Sequence, residues 1–463
     1  MSMIEAPRAN PYLSGPVPAV YFKTVLPIAF FMIVNGLYTV VDALFLGIYA
    51  GADALTAVTL AFPMFMLLVA LSTMLGSGMA SIVARYIGGD DLVRAKAAFL
   101  SSHSLALVVS LVLAIGFTAF GAMGFSAAAS GNEAIARQGW QYVAILTYTS
   151  PLMFFLSIQG DEMRSEGKAG IMALIGVAAT LFNIVFNYIF IAMLDMGTAG
   201  SAWGTVAAQT LAFAGAIALR FSGRMALRMD MPQRGELTYQ WRDMLALGLP
   251  PSLSFAGIAL NSAVIITMLN VWGGENTEDT IAAYGIFTRI LTFGFMPVLS
   301  FNLAAQSMAG NNYGAGEFQR SNKTLVTALL TAFIYAALFE LLLIAFADPI
   351  GRLFVDNEAV VSEISRIVPV AMMAYALNMP LFVIAGYYQA LGIAWAAGAM
   401  SLIRTYLIAV PLGLIMPYFF GEPGIWLAWP IADISMLAVC VLVLARVSKM
   451  RGARLGLFFQ AKA

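Results

Sequence analysis

Residues 22–48 read FKTVLPIAFFMIVNGLYTVVDALFLGI. Only Lys23, at the start, and Asp42, well inside, are charged. About 20 mainly apolar residues, rising 1.5 Å each, cross the ~30 Å hydrocarbon core of a bilayer, so the stretch reads as a spanning helix. The pattern recurs along the chain at about 57–85, 95–121, 138–163, 169–194, 199–220, 243–272, 280–309, 322–346, 362–390, 395–417 and 425–447. Gly, Pro, Asn or clustered charge separate the stretches, as loop signals should. Period-2 alternation is absent, which argues against a β-barrel. The expected fold is an all-α polytopic membrane protein with twelve transmembrane helices.

Composition agrees. Of 463 residues, 61% are hydrophobic and 10% charged, against about 25% charged in a soluble domain. That excludes an ordinary soluble enzyme, and the hydrophobic content excludes a disordered chain. Lys plus Arg and Asp plus Glu number 24 each, so no nucleic-acid partner is indicated. A single cysteine, Cys440, allows neither an internal disulfide nor a thiolate metal cluster. A single histidine, His103, excludes His-based metal sites and a Ser–His–Asp triad. No GxxxxGK[ST] sequence occurs, so ATP does not drive this chain by a Walker site. No cofactor is expected.

Basic residues set the topology. With both termini cytoplasmic, 19 of the 24 Lys and Arg residues fall on the cytoplasmic side, Arg8 and Lys462 among them. Three, Arg137, Arg352 and Arg366, fall on the other, and Arg289 and Arg404 lie within helices. The longest basic stretch runs from Arg220 through Arg234 to Arg242, with Gly223, Pro232 and Gly235. It reads as a linker in contact with anionic lipid. Met1–Pro18 is polar and proline-rich, without a signal-peptide pattern.

The halves resemble each other. Ala84-Arg85-Tyr86-Ile87-Gly88-Gly89-Asp90 aligns with Gly310-Asn311-Asn312-Tyr313-Gly314-Ala315-Gly316, offset by 226. Arg164-Ser165-Glu166-Gly167 aligns with Gln389-Ala390-Leu391-Gly392 at offset 225, and Gly200 with Gly424 at offset 224. A six-helix unit is therefore duplicated, and because six is even the copies run parallel. Such repeats form two bundles with a site near the bilayer midplane. The expected organisation is a cytoplasmic segment 1–21, an N-lobe 22–221, a linker 222–242, a C-lobe 243–448 and a tail 449–463.

Ionisable residues inside spans are costly and functional by default. Asp42 shares one helix face with Asn35 and Tyr38. The fifth span offers Asn183 and Asn187, and the sixth Thr205 and Gln209, each four apart. Each pair alone can equally be interhelical hydrogen-bonding glue. Together they form an oxygen-rich set suited to a proton or a hard monovalent ion, with Na+ at Asp42, Asn183 and Asn187 as the alternative to H+. Pro27 kinks the first span, either as a static bend or as a hinge. Met64, with Met66, Met74 and Met79, either faces lipid or packs the core, or lines an adaptable cavity. Glu340 reads as interfacial, Asp433 as a partner for Arg404, Arg289 as a buried structural residue and His103 as interfacial. Trp272, Tyr418 and Trp426 read as an aromatic belt.

These features resemble the multidrug and toxic compound extrusion (MATE) family over about residues 20–450. The resemblance rests on the two parallel halves, Pro27, Asp42, the Tyr313-Gly314-Ala315-Gly316 loop, Gln306 before it, and Gly424-Ile425-Trp426. It is nearer the bacterial DinF-like branch, which has a first-helix aspartate where Asp42 stands. The second position of that branch's fifth-helix pair is often Asp; Asn187 here removes one carboxylate. The resemblance implies ion coupling at Asp42, Tyr38, Asn183, Asn187 and Thr205, with a substrate cavity at Asn35, Gln209, Met64 and Gln306. It further implies a monomer in the bacterial inner membrane that exports organic, mostly cationic drugs or toxins in exchange for H+ or Na+. The competing expectations are a flippase for a lipid-linked saccharide, with Arg289 and Arg404 facing the pyrophosphate, and a membrane-embedded enzyme.

Overall fold

The computed structural model describes residues 10–129, 132–229 and 236–460. Arg8, Pro232, Arg234, Gly235 and Lys462 lie outside them. The elements are α1 (Val17–Phe45), α2 (Gly51–Gly88), α3 (Leu92–Ala128), α4 (Glu133–Tyr148), α5 (Ser150–Ser165), α6 (Ala169–Asn187) and α7 (Gly197–Phe221). After the linker come α8 (Trp241–Trp272), α9 (Thr277–Gly314), α10 (Phe318–Ala345), α11 (Ala347–Arg352), α12 (Glu358–Met372), α13 (Tyr375–Ala390), α14 (Ala394–Leu402), α15 (Val410–Ile415), α16 (Pro417–Phe420) and α17 (Pro423–Arg451).

Nine runs among the described residues are long and apolar enough to span a membrane, and two bent helix pairs bring the number to eleven. The first run, Val17–Gly88, has 72 residues, roughly 110 Å of helix, so it crosses twice. The π-helical stretch Leu46–Ala50 ends at Gly51, whose φ of 86° favours glycine. Twelve crossings result. The bent pairs, α4 with α5 and α12 with α13, both turn by 52°. Gly167 (φ 79°) and Gly392 (φ 76°) end the turns that follow α5 and α13. The second repeat match in the sequence is thus the same bend and the same left-handed turn, made twice.

The chain divides into two compact units, one containing Leu26–Ser252 and the other Pro11–Val25 with Leu253–Ala463. The boundaries fall inside α1, beside Pro27, and inside α8, beside Pro250 and Pro251.

In the first unit, the start of α8 packs on α2 backbone to backbone. A Cβ on Gly78 would sit 2.1 Å from the Met244 carbonyl oxygen, and one on Gly248 1.9 Å from that of Met74. Small residues allow such close crossings in membranes.

The start of the linker is not a lipid-facing ribbon. Arg220 is buried. Its guanidinium donates to Gln159 Oε1, to Glu162 Oε2 and, at 2.8 Å, to the Leu227 carbonyl. It also stacks 4.3 Å over the Phe99 ring. His103 is buried too rather than interfacial: Nδ1 meets the Phe99 carbonyl at 2.9 Å, and Gln159 Nε2 reaches Nε2 at 3.1 Å. Their side-chain partners, Gln159 and Glu162, lie on α5, far from either residue in sequence.

Glu166 secures the linker itself. Its carboxylate accepts the N–H groups of Ala226 at 3.0 Å and Leu227 at 2.9 Å and pairs with Lys168. Burial by itself would raise the Glu166 pKa. The Glu162 carboxyl, the Lys168 ammonium and the Ala226 N–H outweigh burial and hold it at about 2, against an ordinary 4.5. A lowered folded-state pKa stabilises fully above the unfolded value and is lost as pH falls through the folded one. Thermal stability in detergent should therefore drop between about pH 4.5 and about pH 2. Glu166→Gln should flatten that part of the profile; an unchanged profile would refute the role.

In the second unit, Arg320 donates to the carbonyls of Tyr12, Ser14 and Gly15 and to Asn312 Oδ1, all at 2.9–3.2 Å. Tyr21 donates to the Phe301 carbonyl at 3.0 Å. Arg404 pairs with Asp433, Nε to Oδ1 at 2.5 Å, as its sequence position suggests. Glu340 accepts the Ala376 N–H at 2.8 Å, capping the start of α13 at the bend. Trp426 is 2% exposed and packs in the core with Tyr284. It is therefore a core residue rather than a belt anchor, whereas Tyr418 is exposed and meets Trp272 edge-on at 5.3 Å.

Candidate functional site

The site forms where α1, α6 and α7 meet in the first unit. Asp42 sits late in α1, four residues before the helix turns π-helical at Leu46–Ala50. Asn187 is the last residue of α6, just before a second π-helical segment, Tyr188–Met193. Such departures from α geometry are frequent at functional sites. Asp42 Oδ1 accepts Asn187 Nδ2 at 2.5 Å and Ser201 Oγ at 3.2 Å. The same Asn187 amide reaches the Tyr38 hydroxyl at 3.4 Å. One turn earlier in α6, Asn183 donates to Thr205 Oγ1 at 3.0 Å, and Thr205 donates to the Ser201 carbonyl at 3.1 Å.

Asn187 is fully buried and Asn183 nearly so. The side-chain oxygens of both have no hydrogen-bond partner. Buried acceptors normally have one, so these two oxygens, beside a carboxylate, make an electronegative pocket.

Gly204 admits the Asn187 amide. A Cβ at that position would stand 2.1 Å from Asn187 Oδ1. Gly204→Ala should push the amide off Asp42 and lower the activity of the site about tenfold, the worth of one charge-assisted hydrogen bond of roughly 1.5 kcal/mol. Activity of the reconstituted protein at unchanged melting temperature is the check; wild-type rates would remove Gly204 from the site.

The structure thus joins Tyr38, Asp42, Asn183, Asn187 and Thr205 in one network. Pro27 lies in α1 beside the unit boundary, and Met64 is half-buried in α2. Asn35 is exposed and Gln209 half-buried, and neither enters the network. Gln306 is in the second unit, 3% exposed, with an unpartnered Oε1. Ser201 escapes a reading based on pairs already noticed, although it stands four residues before Thr205. Gly204 leaves no chemical signal at all. Arg289 is exposed rather than a buried structural partner.

The family model described as MatE matches residues 27–189 and again 252–415. The chain belongs to the MatE family. The two matches start 225 residues apart, so the duplication read from loop motifs is a duplication of the MatE unit. Among relatives of this MatE chain is the Probable multidrug resistance protein YoeA of Bacillus subtilis (strain 168), 22% identical, covering 89% of this chain and 90% of YoeA. A FAD transporter of Shewanella oneidensis is 24% identical, with 94% and 96% covered. A solved structure described as the outward-facing conformation of a multidrug resistance MATE family transporter matches with a TM-score of 0.85 at 23% identity, covering 96% of this chain and all of that one. The MatE chain is therefore a multi-pass membrane protein of a transporter family, not of an enzyme family.

Proposed function

We propose that the chain is a secondary active antiporter of the bacterial inner membrane, with both termini cytoplasmic. It exports small organic, mostly cationic drugs or toxins in exchange for H+, with Na+ as the alternative ion, by alternating access and as a monomer. The observation that carries this reading is Asp42, placed within a spanning helix and hydrogen-bonded by Asn187 and Ser201 beside two unpaired amide oxygens. A half-buried carboxylate in such a setting exchanges a proton or a monovalent cation for the charge of a cationic cargo.

Coupling requires that ion and cargo bind unequally to the two access states. Protonation of Asp42 in the outward-open state removes its negative charge and weakens its bond from Asn187. The carboxyl then releases α6, α1 rearranges at Pro27, and the cationic cargo loses its attraction. The lobes 22–221 and 243–448 are the bodies proposed to move. The test is efflux of a fluorescent cation from proteoliposomes with separately imposed pH and sodium gradients. Efflux driven by the pH gradient is the expected result; efflux driven by sodium alone would assign Na+ instead, and efflux without either gradient would refute antiport.

A lipid-linked saccharide flippase is the second reading. The exposed Arg289 supports it, and the relative named a FAD transporter supports anionic cargo more generally.

A further inference from the structure

Arg289 has no role in the cation antiport proposed above. It lies in α9, with about 15 Å of helix between it and the acidic Glu278–Asp279 turn at the start of that helix. In a hydrocarbon core about 30 Å thick that is mid-depth. Its side chain is exposed and makes no hydrogen bond, ion pair or ring contact with any described residue. A charged side chain at the bilayer centre does not face lipid; it faces a water-filled cavity or a partner. Among the described residues Arg289 has no partner, which leaves a water-filled cavity as its surroundings.

Arg404 lies at similar depth in the same unit, within a π-helical segment, Ile403–Ala409, about 15 Å of helix beyond the start of α14. Only its Nε is engaged, by Asp433, and its side chain is 27% exposed. Glu340, the remaining acid within these spans, caps α13. Asp433 and Glu340 are therefore already engaged, and Arg289 is left as the uncompensated cation.

The duplication sharpens the point. At offsets of 224–226, Arg289 corresponds to Phe65, Met64 or Pro63, and Arg404 to Thr180, Ala179 or Ala178. Asp42 corresponds to Ile266, Thr267 or Met268. None of these three charges has a charged residue at its matching position in the other half.

We infer that Arg289 is the receiving group of a subsite in the second unit for cargo that bears a carboxylate or phosphate. The guanidinium offers a planar, permanently charged fork that such oxyanions match. The subsite rests on the transporter reading and extends its cargo to zwitterionic and anionic organic compounds.

The test compares a cationic rhodamine ester with the matching free acid, in proteoliposomes of neutral phospholipid and then with anionic phospholipid added. Wild type is expected to move both dyes. Arg289→Gln should cut free-acid transport about tenfold, the loss of a hydrogen bond to a charged group, and leave the ester within about twofold. Arg289→Lys should recover part of the free-acid rate, and the melting temperature should not fall, because no partner is abandoned. Equal loss of both dyes, or a fall in melting temperature, would make Arg289 structural and overturn the inference. So would a wild type that moves only the ester, which leaves the transporter reading intact. If Arg289→Gln alters only the response to anionic phospholipid, the group serves a lipid headgroup and the inference also falls. Failure of wild type with both dyes would instead refute the transporter reading itself.

Discussion

Asp42→Asn is expected to abolish ion-driven efflux, by at least about a hundredfold, while insertion and melting temperature stay near wild type. The asparagine keeps an acceptor oxygen for Asn187 and Ser201, which now bond Asp42 Oδ1 at 2.5 and 3.2 Å. What it loses is the charge. A cargo or ion with no differential affinity for the two access states shifts nothing, and a hundredfold differential corresponds to about 2.7 kcal/mol, well within the worth of a buried charge pair. Exchange without a gradient can persist, since the fold is retained. Efflux from proteoliposomes under an imposed pH gradient is the measurement. Normal efflux by the variant would move the coupling site away from Asp42 and leave the Asn187–Ser201 network a purely structural one.

Arg220→Ala is expected to cost about 3–5 kcal/mol of stability, the usual result of stripping one partner from a buried ion pair. The Arg220 and Glu162 side chains are 1% and 0% exposed. Removing the guanidinium strands the Glu162 carboxyl, and with it Gln159 Oε1 and the Leu227 carbonyl lose their donor. The linker should then detach from the first unit. Thermal unfolding in detergent and proteolysis within the linker report both effects. Pairing Arg220→Met with Glu162→Leu should restore much of the stability, because apolar replacements of a whole buried pair are often neutral or better. A single variant as stable as wild type would mean that the buried contacts around Arg220 contribute nothing.

The two sites were not equally legible. Asp42, Asn183, Asn187 and Thr205 stand out because each is polar in an apolar helix, and i, i+4 spacing shows which of them share a face. The Arg220 cluster hides because its members sit among other charges near a loop, where basic residues ordinarily mark topology. Nothing local says that Arg220 folds inward against Phe99 while Arg289, inside a span, stays exposed. The same holds for Trp426, whose place at a span end suggests an interface although its neighbours bury it.

From the sequence alone came the solvent, the number of crossings, the duplication and the identity of the one acid with polar company. All of these are carried by hydropathy, length and spacing, which are properties of single segments. The tertiary structure decided which donor reaches Asp42, which glycine makes room for it, that Arg220 is buried, and that Arg289 is left without a partner. Those depend on how helices rotate and how closely they cross. The packing of all neighbours sets these together, and no segment encodes them by itself.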